Sequence, residues 1–355
     1  MISRRATLGL AATAIAAPSV ARSQPQLRWR MVTSWPKGRI GPGVSARRVA
    51  ERINAMSGGK LHVDLFGAGE IVPPFAVLDA VSNGTVEMGH TAAFYWQGKI
   101  PAASFFTTVP FGLGPVEHQA WIELRDGQAL WDELYRPFGV RAFLAGNTGA
   151  SMGGWFKRKL SAPNDLKGMR IRVQGLGAEI YKELGAVPMA VPAGDLLPAF
   201  EKGSIDAVEF LAPSTDLETG LHRHAPYYYA PGFNKPNGAS ELLVSLKAWD
   251  ELSDELKAVV AEACRAEHTL GLGDAVEHNS RALNEILGKH PVSLEAFPAN
   301  ILDAARRVAT DLMSQIASTS PLAGRIVDSY TAALRDYRGW SVLTADMARS
   351  VARYA

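Results

Sequence analysis

Apolar residues recur in the N-terminal part of the chain with two alternating spacings. Segments in which every second residue is apolar predict strands, and segments with a spacing near 3.6 residues predict helices. The resulting order is strand, helix, strand, helix, strand, at Leu27–Trp35, Val44–Met56, Lys60–Phe66, Pro73–Asn83 and Val86–His90. This order predicts a mostly parallel sheet with helices on its faces, whose ligands bind at the carboxyl ends of the strands.

The same order returns after a helix that is predicted at His118–Tyr135. Strands are predicted at Met169–Val173, Val187–Val191 and Ala207–Phe210, with helices between them at Ala178–Leu184 and Leu196–Lys202. The chain is also longer than a single hydrophobic core usually supports. We therefore expect two α/β lobes.

One internal match supports this division. Leu78–Glu87 and Leu197–Asp206 share a pattern in which a helix ends at a glycine and a strand follows. Both glycines fit the left-handed position after a helix. A duplicated unit would place Met88–Trp96 and Ala207–Phe210 at equivalent positions that face the cleft; the alternative is a common turn that occurs twice by chance.

The C-terminal third of the chain is predicted to be helical. Ser253–Leu287 is unusually long, and its first turn carries Asp254 and Glu255, which favour the positive end of a helix dipole. We expect this helix to brace both lobes. Shorter amphipathic helices are predicted at Pro298–Ala317, Ile326–Tyr337 and Val342–Tyr354.

Residues 1–23 are predicted to be an export signal. Arg4 and Arg5 precede an apolar stretch at Leu8–Ala17, which is too short to cross a bilayer, and small residues follow up to Ser23. The adjacent arginines favour the twin-arginine route, with an ordinary Sec signal as the alternative. Without this segment the formal charge falls from +2 to −1, because it holds three arginines and no acidic residue. The charge therefore gives no reason to expect a nucleic-acid partner.

Motifs for catalysis are weak. The sequence has no His-Glu-x-x-His helix and no Walker phosphate loop, and Gly175–Ala178 lacks the third glycine of a nucleotide loop. Cys264 is the only cysteine, so no intramolecular disulfide can form, and its alanine-rich surroundings predict a buried structural thiol. His222 and His224 flank an arginine, which is a poor metal-binding pattern.

Two predicted strands end in residues suited to ligand binding. Alternation places Arg170 and Arg172 on one strand face, and a guanidinium can bind a carboxylate through two parallel hydrogen bonds. A structural salt bridge is an equal alternative for either arginine. Glu209 and Phe210 end another strand, where Glu209 could accept a ligand hydroxyl, bind a cation or pair with an arginine.

Several segments together resemble a known family over nearly the whole chain after the export signal. They are Val32–Pro36, Ala92–Trp96, Pro110–Leu113, Gly146–Gly149, Met152–Phe156, Leu166–Gly168, Gly203–Ala207 and Tyr227–Tyr229. In these segments the chain resembles the DctP-type substrate-binding subunits of tripartite ATP-independent periplasmic (TRAP) transporters. The most similar subgroup binds 2-oxo and 2-hydroxy monocarboxylates.

The resemblance implies an α/β, two-lobed periplasmic binding protein fold of the type II-like class, with a long helix bracing both lobes and a helical C-terminus. The division that we expect is an export signal at 1–23, lobe I at 24–146 completed by about 233–262, lobe II at 147–232 completed by about 263–325, and C-terminal helices at 326–355. It further implies periplasmic capture of a small organic acid for sodium-coupled uptake, without enzymatic turnover.

The resemblance also implies the residues of the site. Arg172 matches the strand arginine that holds the ligand carboxylate, and Phe94, Tyr95, Trp96 and Phe210 are expected to exclude water. The other substrate-binding residues that we expect are Asn147, Ser151, Gln174, Glu209 and Lys235.

A cation is the open question at this site. In the subgroup a glutamate matching Glu209, followed by a tryptophan where this chain has Phe210, helps to bind a cation that bridges protein and ligand. Ser151 and Lys235 replace a glutamine and an acidic ligand of that cation. We therefore expect that no cofactor is required, with a bound sodium or calcium ion at Glu209 and Phe210 as the alternative. Our hypothesis is that the Lys235 ammonium substitutes for the ion.

The partners implied are integral membrane TRAP permease subunits and, through the C-terminal helices, a second copy of the chain. Three alternative functions stay open: an extracytoplasmic ligand sensor, a binding protein of an ATP-driven importer, and an exported α/β enzyme that uses Glu209 as a base. A different membrane partner would distinguish the first two, and turnover of the ligand would identify the third.

Overall fold

The computed structural model describes residues 26–352, with side chains to residue 348, so the predicted export signal lies outside the described residues. The strands are β1 Leu27–Thr33, β2 Leu61–Phe66, β3 Met88–Thr91, β4 Val140–Asn147, β5 Gly154–Phe156, β6 Arg170–Arg172, β7 Val187–Met189, β8 Ala207–Val208, β9 Tyr227–Ala230, β10 Ala239–Ser245 and β11 Ser293–Ala296. The helices are α1 Pro42–Met56, α2 Val77–Ser82, α3 Pro115–Leu124, α4 Gly127–Tyr135, α5 Leu176–Glu183, α6 Leu196–Glu201, α7 Pro213–Thr219, α8 Leu246–Asp250, α9 Asp254–Lys289, α10 Ala299–Ala317 and α11 Pro321–Ala352.

Two sheets form the centres of two lobes, which confirms the predicted fold class. The first sheet has the order β2-β1-β3-β10-β4, and the second has the order β11-β9-β5-β8-β6-β7. β1 pairs in parallel with β2 and β3, whereas β10 is antiparallel to β3 and β4. The first sheet is therefore parallel only in its N-terminal part, as predicted there, and a returning strand completes it. The lobe boundaries expected from the sequence remain a prediction.

The chain passes between the sheets three times. It leaves the first sheet after β4, returns after β9 to form β10, and leaves again through α9 to form β11. The segments between β4 and β5 and between β9 and β10 therefore connect the lobes. Such connections are where hinge motion between two rigid bodies is usually taken up.

Helix α9 contacts both lobes, as predicted. Its first turn is capped by the Ser253 hydroxyl, which accepts a hydrogen bond from Leu256 N at 3.3 Å. Gly271 allows the helix to lie directly on β4, because a Cβ there would come within 3.0 Å of the backbone N and O of Asn147. Near its end, Ile286 is buried in a core cluster of the second lobe. With 36 residues, the helix is about 54 Å long.

Three predicted helices differ from the structure. The helix predicted at His118–Tyr135 is divided into α3 and α4, because Arg125 has extended backbone angles between them. The separate helices predicted at Ile326–Tyr337 and Val342–Tyr354 form the single helix α11 as far as Ala352, since Gly339 does not interrupt it. Within residues 26–352, none of the helices combines the length and the apolar character that crossing a membrane requires.

Candidate functional site

A cavity lies between the lobes, where the ends of strands from both sheets meet. Arg172 is the last residue of β6, and Phe210 follows β8, which pairs in parallel with β6. From the first lobe, Phe94 and Tyr95 follow β3, and Ala239 begins β10. The cavity is lined by Trp35, Pro42, Ala92, Phe94, Tyr95, Thr107, Thr148, Arg172, Phe210, Leu211, Lys235, Gly238, Ala239 and Ser240.

Arg172 is held rigidly at the wall of this cavity. Its side chain is buried, with Nε donating to the carbonyl of Val191 at 3.1 Å and Nη1 donating to the carbonyl of Glu209 at 2.8 Å. Its guanidinium carbon lies 5.3 Å from the centre of the Phe210 ring, which is within cation–π range. Arg170, in contrast, is exposed and forms an ion pair with Asp206 at 2.7 Å. For either arginine the sequence left a carboxylate contact and a salt bridge as equal alternatives; in the structure Arg170 forms a surface salt bridge and Arg172 lines the cavity.

Lys235 brings a second cation to the same wall. Its ammonium lies 2.6 Å from Glu209 Oε1, and it donates a hydrogen bond to the carbonyl of Phe210. It also lies 5.9 Å from the centre of the Phe94 ring. Glu209 is fully buried, and neither of its carboxylate oxygens has a well-directed hydrogen bond within the described residues. The contact with Lys235 is thus an ion pair that leaves hydrogen-bonding capacity unused.

The cavity is electropositive. Arg172 and Lys235 are the charged residues among those that line it, since Glu209 lies behind Lys235. Burial lowers the pKa of Lys235, while the negative charge of Glu209 opposes that effect. Burial raises the pKa of Tyr95 to about 12, so its hydroxyl stays neutral beside Arg172. A fixed positive charge surrounded by aromatic rings suits a small anion with an apolar part.

Six of the ten predicted site residues lie together around the cavity: Arg172, Glu209, Phe210, Phe94, Tyr95 and Lys235. Trp96 does not line it, because its indole donates to Glu241 at 2.9 Å within the core of the first lobe. Asn147 lines a neighbouring opening, and its side-chain Nδ2 donates a hydrogen bond to Asn237 Oδ1 at 2.9 Å. The Ser151 hydroxyl and the Gln174 amide nitrogen are buried without a hydrogen-bond partner in the part of the chain that the structure describes, and neither residue lines the cavity.

Ser151 lies at the centre of Gly149–Gly153, whose spacing matches the Gly-x-Ser-x-Gly nucleophile elbow, a match that sequence reasoning missed. An elbow requires a strand-to-helix turn and a histidine base. Here the segment connects β4 to β5, two strands, and the Ser151 hydroxyl has no hydrogen-bond partner among the described residues. The segment therefore lacks the strand-to-helix turn of a nucleophile elbow.

Several lining residues were not predicted as ligand contacts. Trp35 and Thr148 belong to segments that carried the family resemblance, so their position after strand ends could have identified them. Thr107 lies after a short 3-10 helix and has no sequence signal. Ser240 lies in β10, a strand that the pattern did not predict, and it reaches the cavity because β10 runs antiparallel to β3.

Metal-binding side chains are sparse in this structure. No group of three or more His, Cys, Asp or Glu side chains that could hold a metal ion occurs in residues 26–352. The pair flagged in the sequence is divided, because His222 packs on His290 with ring centres 4.1 Å apart and His224 contacts Glu201 at 3.2 Å. The oxygen atoms that could contact a cation at the cavity are those beside Lys235, the Glu209 carboxylate and the Phe210 carbonyl.

Comparison with known proteins relates the chain to one group. The sequence pattern of DctP, the bacterial extracellular solute-binding proteins of family 7, matches residues 42–320. The chain is 36% identical over 323 residues to a monocarboxylate 2-oxoacid-binding periplasmic protein of Nostoc sp. strain PCC 7120, which covers 91% of this chain and 88% of the relative.

Two solved structures are similar over almost the whole chain. A TRAP transporter solute-binding protein of Bordetella bronchiseptica RB50, with copurified calcium and picolinate, has a TM-score of 0.90 at 33% identity and covers 94% of this chain and 100% of its own. A protein of the same kind from Pseudoalteromonas atlantica T6c, with bound sodium and pyruvate, has a TM-score of 0.87 at 32% identity, with coverages of 91% and 98%.

Proposed function

The chain belongs to the bacterial extracellular solute-binding proteins of family 7, and we propose that it captures a small monocarboxylate, a 2-oxo or 2-hydroxy acid, for a TRAP transporter. The observation that carries this proposal is the buried Arg172 at the wall of an inter-lobe cavity whose lining holds two cations and no acidic residue. A guanidinium fixed by two backbone carbonyls is preorganised to receive a carboxylate, so little freedom is lost on binding.

The rest of the cavity favours a short ligand with an apolar end. Phe94, Tyr95 and Phe210 form an aromatic wall, while Thr107 and Ser240 bring hydroxyl groups to the lining. These hydroxyls can donate to a keto oxygen or accept from a hydroxyl group. The relatives that contain pyruvate or picolinate, or are named for 2-oxoacid binding, support the same ligand class.

Contacts between the lobes across the mouth suggest how capture works. Arg39 Nη1 donates to the Thr219 hydroxyl at 2.9 Å, and the Ile40 amide donates to Glu218 at 3.2 Å. We infer that the ligand stabilises this closed arrangement by contacting both lobes, and that membrane permease subunits recognise the closed surface. A ligand shifts this equilibrium only by its differential affinity for the closed form.

Binding thermodynamics test this function, and the chain offers a matched control. We expect Arg172→Ala to lose affinity for pyruvate on the order of a hundredfold or more, because a charge-assisted contact is removed in a buried site. Arg170→Ala removes an arginine two positions away on the same strand and should bind as the wild type does. Calorimetric titration of both variants and the wild type with pyruvate, lactate, sugars and amino acids measures these affinities.

The proposal is wrong if Arg172→Ala binds the acid with wild-type affinity, or if only sugars or amino acids bind. A thermal shift provides a second readout, since a ligand at one hundred times its dissociation constant adds about 2.7 kcal/mol of stability. Mass analysis of the ligand after incubation tests the enzymatic alternative, because a binding protein returns the acid unchanged.

Export and self-association complete the proposal. We infer that residues 1–23 direct export, most simply through the twin-arginine route, and that the mature protein begins near Gln24. Helix α11 carries exposed apolar side chains at Trp340, Leu343 and Met347, a spacing that places them on one helix face and suits a homodimer. N-terminal mass analysis of the exported protein and light scattering measure these two points.

A further inference from the structure

Similar structures contain calcium or sodium together with the bound acid, so the oxygen donors of this chain need to be tested for a metal ion. Two such donors lie at the cavity wall, the Glu209 carboxylate and the Phe210 carbonyl. Both are hard oxygen ligands of the kind that calcium prefers. In this chain, however, the Lys235 ammonium already contacts both of them.

The geometry leaves no place for an additional cation between these oxygens. The Lys235 ammonium lies 2.6 Å from Glu209 Oε1, which is close to the distance at which calcium itself would lie. An ion bound to the same two oxygens would overlap the ammonium and would be repelled by it. The residues present therefore do not fit the metal ion that the similar structures contain.

We propose that Lys235 is a built-in cation that replaces the metal ion, so that this protein binds its organic acid without any metal. This proposal rests on the proposed function and names how the same cavity works. An ammonium has three N–H donors. One is donated to the Phe210 carbonyl, while Glu209 forms an ion pair with the ammonium, so donor capacity is left for the ligand because Lys235 itself lines the cavity.

The charge balance of the site then selects the ligand class. Arg172, Lys235 and Glu209 carry two positive charges and one negative charge, so one bound carboxylate neutralises the group. Asp216 also acts on Lys235 electrostatically, but it does not line the cavity. Its carboxylate accepts a hydrogen bond from the Tyr228 hydroxyl at 2.7 Å. A second carboxylate on the ligand would be buried without a partner, and we expect dicarboxylates to bind at least tenfold more weakly.

Calorimetric titration with pyruvate in sodium-free buffer tests this directly. We expect the same dissociation constant, within about twofold, with excess chelator and with added calcium, since no ion takes part. Lys235→Met, which keeps the side-chain volume, should weaken binding on the order of a hundredfold because it leaves Glu209 buried and unpaired. Lys235→Ala frees both oxygens, so added calcium should restore part of the lost affinity.

Lys157 provides the matched control. Like Lys235 it donates to backbone carbonyl oxygen, in its case to two carbonyls, and its ammonium lies 4.5 Å from the centre of the Phe200 ring, away from the cavity. Lys157→Met should therefore leave pyruvate affinity unchanged. Elemental analysis of the purified wild type gives a readout that needs no ligand, and we expect no stoichiometric calcium.

The outcomes separate the two proposals. Wild-type binding that weakens tenfold or more with chelator, stoichiometric calcium in the purified protein, or wild-type affinity in Lys235→Met overturns the built-in cation while the transport function stands. Binding of no organic acid at all overturns both. If Lys235→Met does not fold, as judged by circular dichroism, the chelator titration and the metal content of the wild type decide the question.

Discussion

Glu241 gives a quantitative prediction about stability. This glutamate is buried in β10 of the first lobe, where its two oxygens accept hydrogen bonds from Trp96 Nε1 at 2.9 Å and from the Tyr135 hydroxyl at 3.1 Å. Neither partner is charged, so burial dominates and raises the pKa of Glu241 from 4.5 to about 8. We expect the carboxyl group to be protonated in the folded protein at neutral pH.

Because folding raises the pKa of Glu241, this group stabilises the folded protein most at low pH. Below pH 4.5 the group is protonated in both states and contributes its full stabilisation. As the pH rises towards about 8, the unfolded chain releases a proton that the folded protein keeps, so the stability falls. Each pKa unit corresponds to about 1.4 kcal/mol, which makes the total loss roughly 5 kcal/mol.

Glu241→Gln removes the ionisable group and keeps hydrogen-bonding capacity for both partners. We expect the free energy of unfolding of this variant, relative to the wild type, to increase steadily between pH 5 and pH 8 by several kcal/mol. Urea unfolding at each pH measures this difference. A constant difference for Glu241→Gln would refute the reasoning.

Three further predictions concern buried residues. Tyr330→Phe should destabilise the protein by about 1–3 kcal/mol in urea unfolding, because the buried Leu113 amide loses the hydroxyl that accepts its hydrogen bond at 2.8 Å. Gly238→Ala should weaken pyruvate binding in calorimetry, since its Cβ would meet Thr148 Oγ1 at 1.9 Å in the cavity lining. Cys264 is buried and its thiol pKa is raised by burial, so a thiol reagent should label it only after unfolding.

The sequence predicted the part of the site that follows from local pattern. The matched segments each end a helix at a glycine in the left-handed region, Gly84 at φ 76° and Gly203 at φ 71°, and a strand follows in both lobes. The residues beyond those strands, Phe94 and Tyr95 in one lobe and Phe210 in the other, line the same cavity. The spacing of apolar residues and the glycines that end the helices are local properties of the sequence, and they are sufficient to place these side chains.

The remainder depends on contacts between distant segments. Trp96 follows Tyr95 directly and was expected at the ligand, but its indole is drawn into the core by Glu241, which is 145 positions away. Strand β10 was not predicted because it is buried between β3 and β4, two strands remote from it in sequence, and therefore lacks the apolar–polar alternation of a half-buried strand. Local spacing carries no information about such partners, so the direction of the Trp96 side chain could not be deduced.

The positions of Arg172 and Lys235 suggest a division of tasks in the site. Arg172 is fixed by backbone carbonyls at the end of a strand, so its geometry follows from the sheet. Lys235 comes from the segment between β9 and β10, which connects the lobes, and reaches Glu209 across the cavity wall. If the proposed built-in cation is correct, the side chain at position 235 determines whether the cation beside Glu209 and the Phe210 carbonyl comes from the chain or from a metal ion. We then expect metal dependence to change with position 235 while the backbone contacts that fix Arg172 stay the same.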